Sequence, residues 1–376
     1  MAEVGTFTDE HRFPCTTCGA DMRFDPPTGT LKCDHCGAEA AVSNAPVPPV
    51  REQDYDRALQ DGLAASGDLV LGSAPTVEIR VSQCPNCGAQ VEFSETTHAA
   101  ECPYCATPVV TDTGAHRQIK PQGLLPFALD ESAAHTAMTD WLGRLWFAPN
   151  GLKEYARKGR RMSGVYVPYW TYDADTKSSY RGERGDHYYV SRTVMRDGKP
   201  TVVQERRTRW SSRSGRVARF FDDILVLASH ALPRKYTEAL APWDLSDMEP
   251  YRPDFLAGFR SEAYTVRVDE GYTEARDYMD RMILRDVRFD IGGDEQRVHD
   301  VQTTVRDVTF KHILLPVWVA AYKYRGKTYR FVVNGRSGRV RGERPYSAWK
   351  IAFAVVLGLA VAAIVGYLVA MNQQGG

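Results

Sequence analysis

The sequence predicts an α+β protein in three parts: two N-terminal zinc ribbons of four cysteines each, a duplicated α+β repeat domain and one C-terminal transmembrane helix. Three observations lead there. All eight cysteines fall in Cys-x-x-Cys pairs, a proline–tryptophan motif recurs in the middle of the chain, and an apolar run without charge lies near its end. The expected boundaries are 1–43 for ribbon one, 44–79 for a proline-rich linker and short helix, and 80–114 for ribbon two. The repeat domain follows at 115–348, the membrane helix at 349–371 and a short external tail at 372–376.

Cys15, Cys18, Cys33 and Cys36 form one set, and Cys84, Cys87, Cys102 and Cys105 the other, each with 14 residues between its two pairs. Four thiolates on two short knuckles, joined through a β-hairpin, suit a tetrahedral zinc ion, so two structural Zn²⁺ are expected. The sets repeat in sequence: Cys-Thr-Thr-Cys-Gly-Ala from Cys15 matches Cys-Pro-Asn-Cys-Gly-Ala from Cys84, and Phe24 and Phe93 share one offset, where they would cover the small sheet. Disulfides would need an oxidising compartment, and the first residues show no signal-peptide pattern. A redox motif would not recur four times at this spacing. His35 lies inside a knuckle whose thiolates already suffice, so it is expected on the surface.

The linker Asn44–Val50 is stiff and proline-rich. Tyr55, Leu59 and Leu63 then mark one face of a helix over Arg51–Ser66. In the repeat domain, Val165-Tyr-Val-Pro-Tyr-Trp170 parallels Leu314-Leu-Pro-Val-Trp318, pairing Pro168 with Pro316 and Trp170 with Trp318. A strand at Leu124–Leu129 and a helix over Asp130–Phe147 precede the first motif. A strand at Tyr264–Val268 and a helix over Asp269–Leu284 precede the second. Asp130 and Asp269 stand where N-caps belong. The expected unit is a strand, a helix and an antiparallel hairpin, twice over. Proline within such strands suggests an edge or a bulge, and the tryptophans read as core anchors. Tyr188–Met195 and Thr201–Trp210, about an Asp197-Gly198 turn, read as a hairpin with one charged face. Val317–Tyr324 and Tyr329–Val333 read as another.

Ile351–Met371 is 21 residues without a charge, long enough at about 1.5 Å per residue to cross a hydrocarbon layer of about 30 Å. Trp349 and Tyr367 suit the interfaces. Arg336, Arg339, Arg341, Arg344 and Lys350 precede the run and no charged side chain follows it, so the positive-inside rule places the bulk of the chain in the cytoplasm and the C-terminus outside. The expected location is a single-pass, tail-anchored protein of the cytoplasmic membrane. Gly358, Ala362, Gly366 and Ala370 share one helix face, compatible with a homo-oligomer.

The net charge of zero hides a gradient. Residues 1–114 carry 17 acidic and 6 basic side chains, whereas Arg181–Arg219 holds 11 basic and 4 acidic residues. Nucleic-acid affinity comes mainly from cations on phosphates, so the acidic ribbons are expected to meet protein and not DNA or RNA. The basic segment offers the alternative, a membrane-tethered nucleic-acid binder; it could also hold phosphate or anionic lipid, complement the acidic front half, or be only a solvated face. Gly326-Lys327-Thr328 has the end of a P-loop but alanine at 321 in place of its first glycine, and it sits in a hairpin, not at a helix start. Asp294-Glu295 lies in a loop without a P-loop partner. No metalloprotease, serine-hydrolase or dinucleotide motif is present, and His187, His299 and His312 are isolated, so no catalysis is expected.

Together with the twin ribbons, the segments Gly164–Asp173, Tyr180–Gly185, Asp290–Gln296, Thr309–Pro316 and Asn334–Ser347 resemble a family of bacterial membrane-anchored zinc-ribbon proteins over nearly the whole chain. That family is often described as primosomal protein N′ (replication factor Y) superfamily II helicase, or as TFIIB-type zinc ribbon protein. The helicase description rests on the ribbons alone, and the lack of a P-loop here argues against it. Ala106 departs from the glycine at the other knuckles, Gly19, Gly37 and Gly88. The resemblance implies a cytoplasmic SPFH-domain (stomatin/flotillin-like) partner placed at the membrane by an adaptor.

Overall fold

The computed structural model describes residues 13–43, 46–66, 76–92, 99–104, 107–110, 115–147, 162–196, 199–324, 327–343 and 347–374. Cysteine knuckles govern the first part. The strands β1 (Met22–Asp25), β2 (Thr30–Cys33) and β3 (Glu39–Ala41) form a small antiparallel sheet. After the linker come β4 (Gln53–Asp54) and α1 (Tyr55–Ser66), then β5 (Thr76–Gln83), β6 (Gln90–Glu92), β7 (Ala99–Glu101), β8 (Pro108–Val110) and β9 (Ala115–Ile119). β5 pairs with both β6 and β9, and β7 pairs with β8.

The body is organised by three long strands. It begins with β10 (Gly123–Leu124) and α2 (Glu131–Arg144), followed by β11 (Ser163–Arg196) and β12 (Lys199–Leu227). The short helix α3 (Arg234–Glu238) and the strands β13 (Glu249–Pro250) and β14 (Arg260–Ser261) lead to α4 (Val268–Ile291). β15 (Glu295–Tyr324), β16 (Lys327–Asn334), β17 (Val340–Gly342) and α5 (Ala348–Gln374) complete the described chain. The order β12-β11-β15-β10-β13 forms the spine of a nine-stranded sheet. β14 joins it beside β11, β4 and β16 beside β15, and β17 beside β16. The hairpin read from 188–210 is the far end of β11 and β12, whose ladder runs from Tyr169↔Leu227 out to Arg196↔Lys199. The hairpin around 325–326 is present as β15 and β16; those two residues lie outside the described set, but Lys327 onward continues as a strand, where a P-loop would open a helix.

Alternation along β11 and β15 divides the core. Val165, Val167, Tyr169, Ile313, Leu315 and Val317 face one side with residues of ribbon two. Tyr166, Leu314 and Trp318 face the other, with α2 and residues of ribbon one. Further along that side, Trp170, Tyr172 and Phe310 meet α1 and α4. α4 buries Val268, Gly271, Ala275, Met279, Ile283, Val287 and Ile291, a stripe at almost uniform four-residue spacing. Gly271 allows the closest approach, because a Cβ there would lie 2.6 Å from the Tyr172 hydroxyl and 2.9 Å from Trp170. Tyr172 donates to Val268 O (2.5 Å), and Arg219 pairs with Asp286 (2.6 Å).

Several boundaries differ from those expected. Asp130 caps α2 by accepting from Ala133 N. α4 instead begins after Arg267, with Glu270 reaching back to the Arg267 amide (3.0 Å), so Asp269 lies in the first turn. The strand expected at 124–129 is confined to 123–124, and none lies at 264–268, where the chain is irregular before α4; the nearest strand is 260–261. Neither Pro168 nor Pro316 lies on an edge or in a bulge; the β11–β12 ladder bulges at Tyr172/Ala174. Each proline sits where one neighbouring strand gives way to another. Beside β11, β12 ends at Tyr169↔Leu227 and β14 starts at Tyr166↔Ser261. Beside β15, β16 ends at Val317↔Asn334 and β10 starts at Leu314↔Leu124. At such a junction no ladder bond needs the missing proline N–H.

The tryptophans are core anchors, buried as expected. Trp170 Nε1 donates to Val266 O and Trp318 Nε1 to Leu129 O, each at 2.9 Å, just before an N-cap. Two further bond sets match. Ala228 N donates to Pro168 O while Thr265 N and Val266 N donate to Ala228 O; Gly335 N donates to Pro316 O while Ala128 N and Leu129 N donate to Gly335 O.

Candidate metal centres

Each described knuckle is shaped by its own backbone. The Cys15 amide donates to Ala20 O and the Gly19 amide returns to Cys15 O. Cys33 with Ala38 and Gly37, and Cys84 with Ala89 and Gly88, repeat the pair of bonds at 2.7–2.9 Å. The three glycines hold φ of 75–77°, a conformation that a side chain would disfavour. Cys102 N donates to Thr107 O, while Cys105 and Ala106 lie outside the described residues.

These turns bring the Sγ atoms of Cys15, Cys18, Cys33 and Cys36 within 4.8 Å of one another, and likewise those of Cys84, Cys87 and Cys102. Cys15–Cys36, Cys18–Cys33 and Cys87–Cys102 are each 3.6 Å apart. A disulfide would need about 2.05 Å. Sulfurs bound at about 2.3 Å around one tetrahedral ion lie about 3.8 Å apart, so the spacing fits a shared metal. The thiols of the first cluster also divide in acidity. Backbone amides of Thr17 and Cys18 bring Cys15 down to about 6. Cys36 accepts from the Ala38 amide, yet its neighbouring thiols and burial push it up to about 12. Four sulfurs this close cannot all ionise together unless a cation lies among them. Both clusters could therefore hold a metal ion. His35 is exposed and outside the cluster.

The ribbons are fastened to the body by contacts that the cysteine pattern does not show. Phe24 is buried, but it covers more than its own sheet: it meets Phe255 edge-on at 5.2 Å, and its amide donates to Ala257 O. Phe93 lies outside the described residues. Ribbon two is held by Tyr104, whose hydroxyl donates to Glu262 Oε2 (2.5 Å); Ser229 donates to Oε1 (2.5 Å). Tyr104 is fully buried and Glu262 is 2% exposed. Burial pushes the Glu262 carboxyl up to about 7, against the pull of these two hydroxyls.

A second buried group missed by sequence reading surrounds Lys311. Its Nζ lies 2.7 Å from Asp223, 3.2 Å from Glu52 and 3.9 Å from Asp173. Burial would lower the Lys311 value, but Asp223 and the other carboxylates hold it above its ordinary range. Burial, with Glu52 alongside, pushes Asp173 up to about 7. A lysine within the apolar Phe310–Leu315 run was the only available signal. The group fastens the linker to β15, where Gln53 and Asp54 pair with Phe310 and Thr309.

The basic segment 181–219 is spread along β11 and β12. Arg181 pairs with Asp300, Arg184 with Asp186, Arg207 with Glu205 and Arg219 with Asp286. None of these partners comes from residues 1–114. Asp294 and Glu295 bind His187, through its backbone amide and Nε2 respectively, each at 2.7 Å. His312 is buried and bonded to Ile119 O, and His299 lies 3.7 Å from Glu183.

α5 carries Trp349–Tyr367, a stretch long and apolar enough to cross a membrane, with none of it buried against the protein. No family model matches the chain, and no solved structure matches it. It is similar to the "Uncharacterized protein YdjG" of Bacillus subtilis (strain 168), with 24% identity over 349 residues that cover 90% of this chain and 92% of that protein.

Proposed function

We propose that this chain is a tail-anchored adaptor of the cytoplasmic membrane. The two clusters bind structural Zn²⁺, through Cys15, Cys18, Cys33 and Cys36 and through Cys84, Cys87, Cys102 and Cys105. The body is a duplicated α+β unit, and α5 spans the bilayer with the bulk of the chain cytoplasmic and the C-terminus outside. The ribbons and body recruit a cytoplasmic protein, which the family resemblance makes an SPFH-domain protein. Recruitment works by raising local concentration at the membrane, without catalysis. Self-association of α5 through its small-residue face belongs to the same reading.

The observation that carries this reading is the union of all-cysteine clusters, docked on the body, with an apolar helix of which nothing is buried. Sulfur-only tetrahedral sets favour zinc or iron–sulfur centres, and a set of four protein ligands leaves no open position for chemistry. The matched bonds around Pro168 and Pro316, and from Trp170 and Trp318, support the duplication. Four of the 11 cations in the basic segment, Arg181, Arg184, Arg207 and Arg219, already face carboxylates, which counts against nucleic-acid binding by those four. Cross-linking of the full-length chain in native membranes, read by mass spectrometry, tests the proposal. The expected product joins a ribbon or body residue to a cytoplasmic protein. Cross-links only within the chain would count against it.

A further inference from the structure

α2 does not end on a polar turn. Beyond Arg144 and Leu145 the chain presents Trp146 and Phe147 side by side, with rings 5.1 Å apart at 69°. Trp146 is 55% exposed and Phe147 38%, although aromatic side chains of this size are usually covered. The Ser347 amide donates to Phe147 O at 2.8 Å, tying this loop to the residue just before α5. Phe147 then lines a shallow apolar cavity of about 350 Å³ with Ile351, Ala354 and Val355, all on one face of α5.

This placement fixes a depth. Val355 lies six residues beyond Trp349, about 9 Å along the helix. If α5 spans the bilayer, its first two turns occupy the headgroup layer and the start of the acyl chains. Anything resting on Ile351 and Val355 is at the same level. A soluble protein cannot reach that depth, whereas lipid surrounds it. Tryptophan and phenylalanine at an interface bury apolar ring area while the loop backbone stays near water, and Arg144, two residues before Trp146, is an exposed cation of the kind that headgroup phosphate attracts.

We propose that Trp146 and Phe147 form a second membrane contact, inserted into the interfacial lipid beside α5, which seats the body directly on the bilayer. The proposal rests on reading α5 as a span, and its test separates the two. Benzoylphenylalanine replaces Phe147, Val361 or Tyr189 in separate full-length proteins. Each is reconstituted in vesicles of phosphatidylcholine and phosphatidylglycerol, irradiated and weighed by mass spectrometry. Phospholipid adducts are expected at 147 and 361 and not at 189, which lies on the exposed far end of β11. Adducts at 361 without any at 147 would overturn the second contact and leave the span standing. Adducts at neither would overturn both. Adducts at 147 to protein, including a second copy of this chain, would overturn the lipid assignment.

Discussion

Replacing Tyr104 by phenylalanine removes one oxygen from the joint between ribbon two and the body. That hydroxyl donates to Glu262 Oε2 at 2.5 Å, and the other carboxyl oxygen keeps Ser229, whose Oγ also accepts from the Ala231 amide at 2.9 Å. The ring stays, so its place in the core cluster that also holds Leu125 and Val167 is preserved, but a carboxyl oxygen in a buried setting loses its partner. Such a group costs about 1–3 kcal/mol, so ribbon two should undock about 5- to 150-fold more often. The assay is release of metal from the full-length protein in detergent to an excess of chromogenic chelator. Release should be biphasic, and only the phase from the second cluster should accelerate in Tyr104→Phe. Glu262→Ala should accelerate the same phase. An unchanged second phase in Tyr104→Phe, or equal acceleration of both, would refute the claim that this buried pair docks ribbon two.

Two further outcomes follow from the same geometry. The purified protein should contain two zinc ions per chain by elemental analysis, and Cys84→Ser should lose one while circular dichroism keeps the strand signal of the body, because metal supplies most of the folding energy of a single ribbon. Asp173 has a folded value raised to about 7 from the ordinary carboxylate range near 4. The folded state therefore holds a proton that the unfolded chain gives up, so this contribution to stability is complete below about pH 4 and is lost as pH rises to about 7. The urea midpoint of Asp173→Asn should lack that part of the decline between about pH 4 and 7, and parallel pH profiles for both proteins would contradict the assignment.

The parts legible in the sequence are those whose physics is local. Knuckle spacing sets how close the sulfurs come, and the uncharged run in α5 is visible from length and composition alone. The proline–tryptophan motif was also visible, because Pro168 and Pro316 mark where neighbouring strands change over. The length of β11 was hidden. From Gly164 to Ala174 it is buried on both faces, so alternation begins only at Asp175, and the bulge opposite Tyr172/Ala174 puts its extra residue on β12, whose buried positions jump from Phe221 to Ile224. α4 runs past Leu284 because the four-residue stripe continues through Val287 and Ile291, where charged neighbours obscure it. The Tyr104–Glu262 joint spans 158 residues and the Lys311–Glu52 pair 259, and nothing local announces either.

Recruitment of a protein to the membrane is tested most directly by relocation of that partner. Membrane and soluble fractions would be compared by quantitative mass spectrometry between cells carrying the full chain, the chain without residues 349–376, and the chain with Cys15→Ser and Cys84→Ser. The adaptor account predicts that at least one protein without a membrane span of its own leaves the membrane fraction together with the truncated chain. The same protein should also leave in the cysteine variant, although that variant stays anchored. A membrane fraction in which nothing but this chain changes would contradict the account.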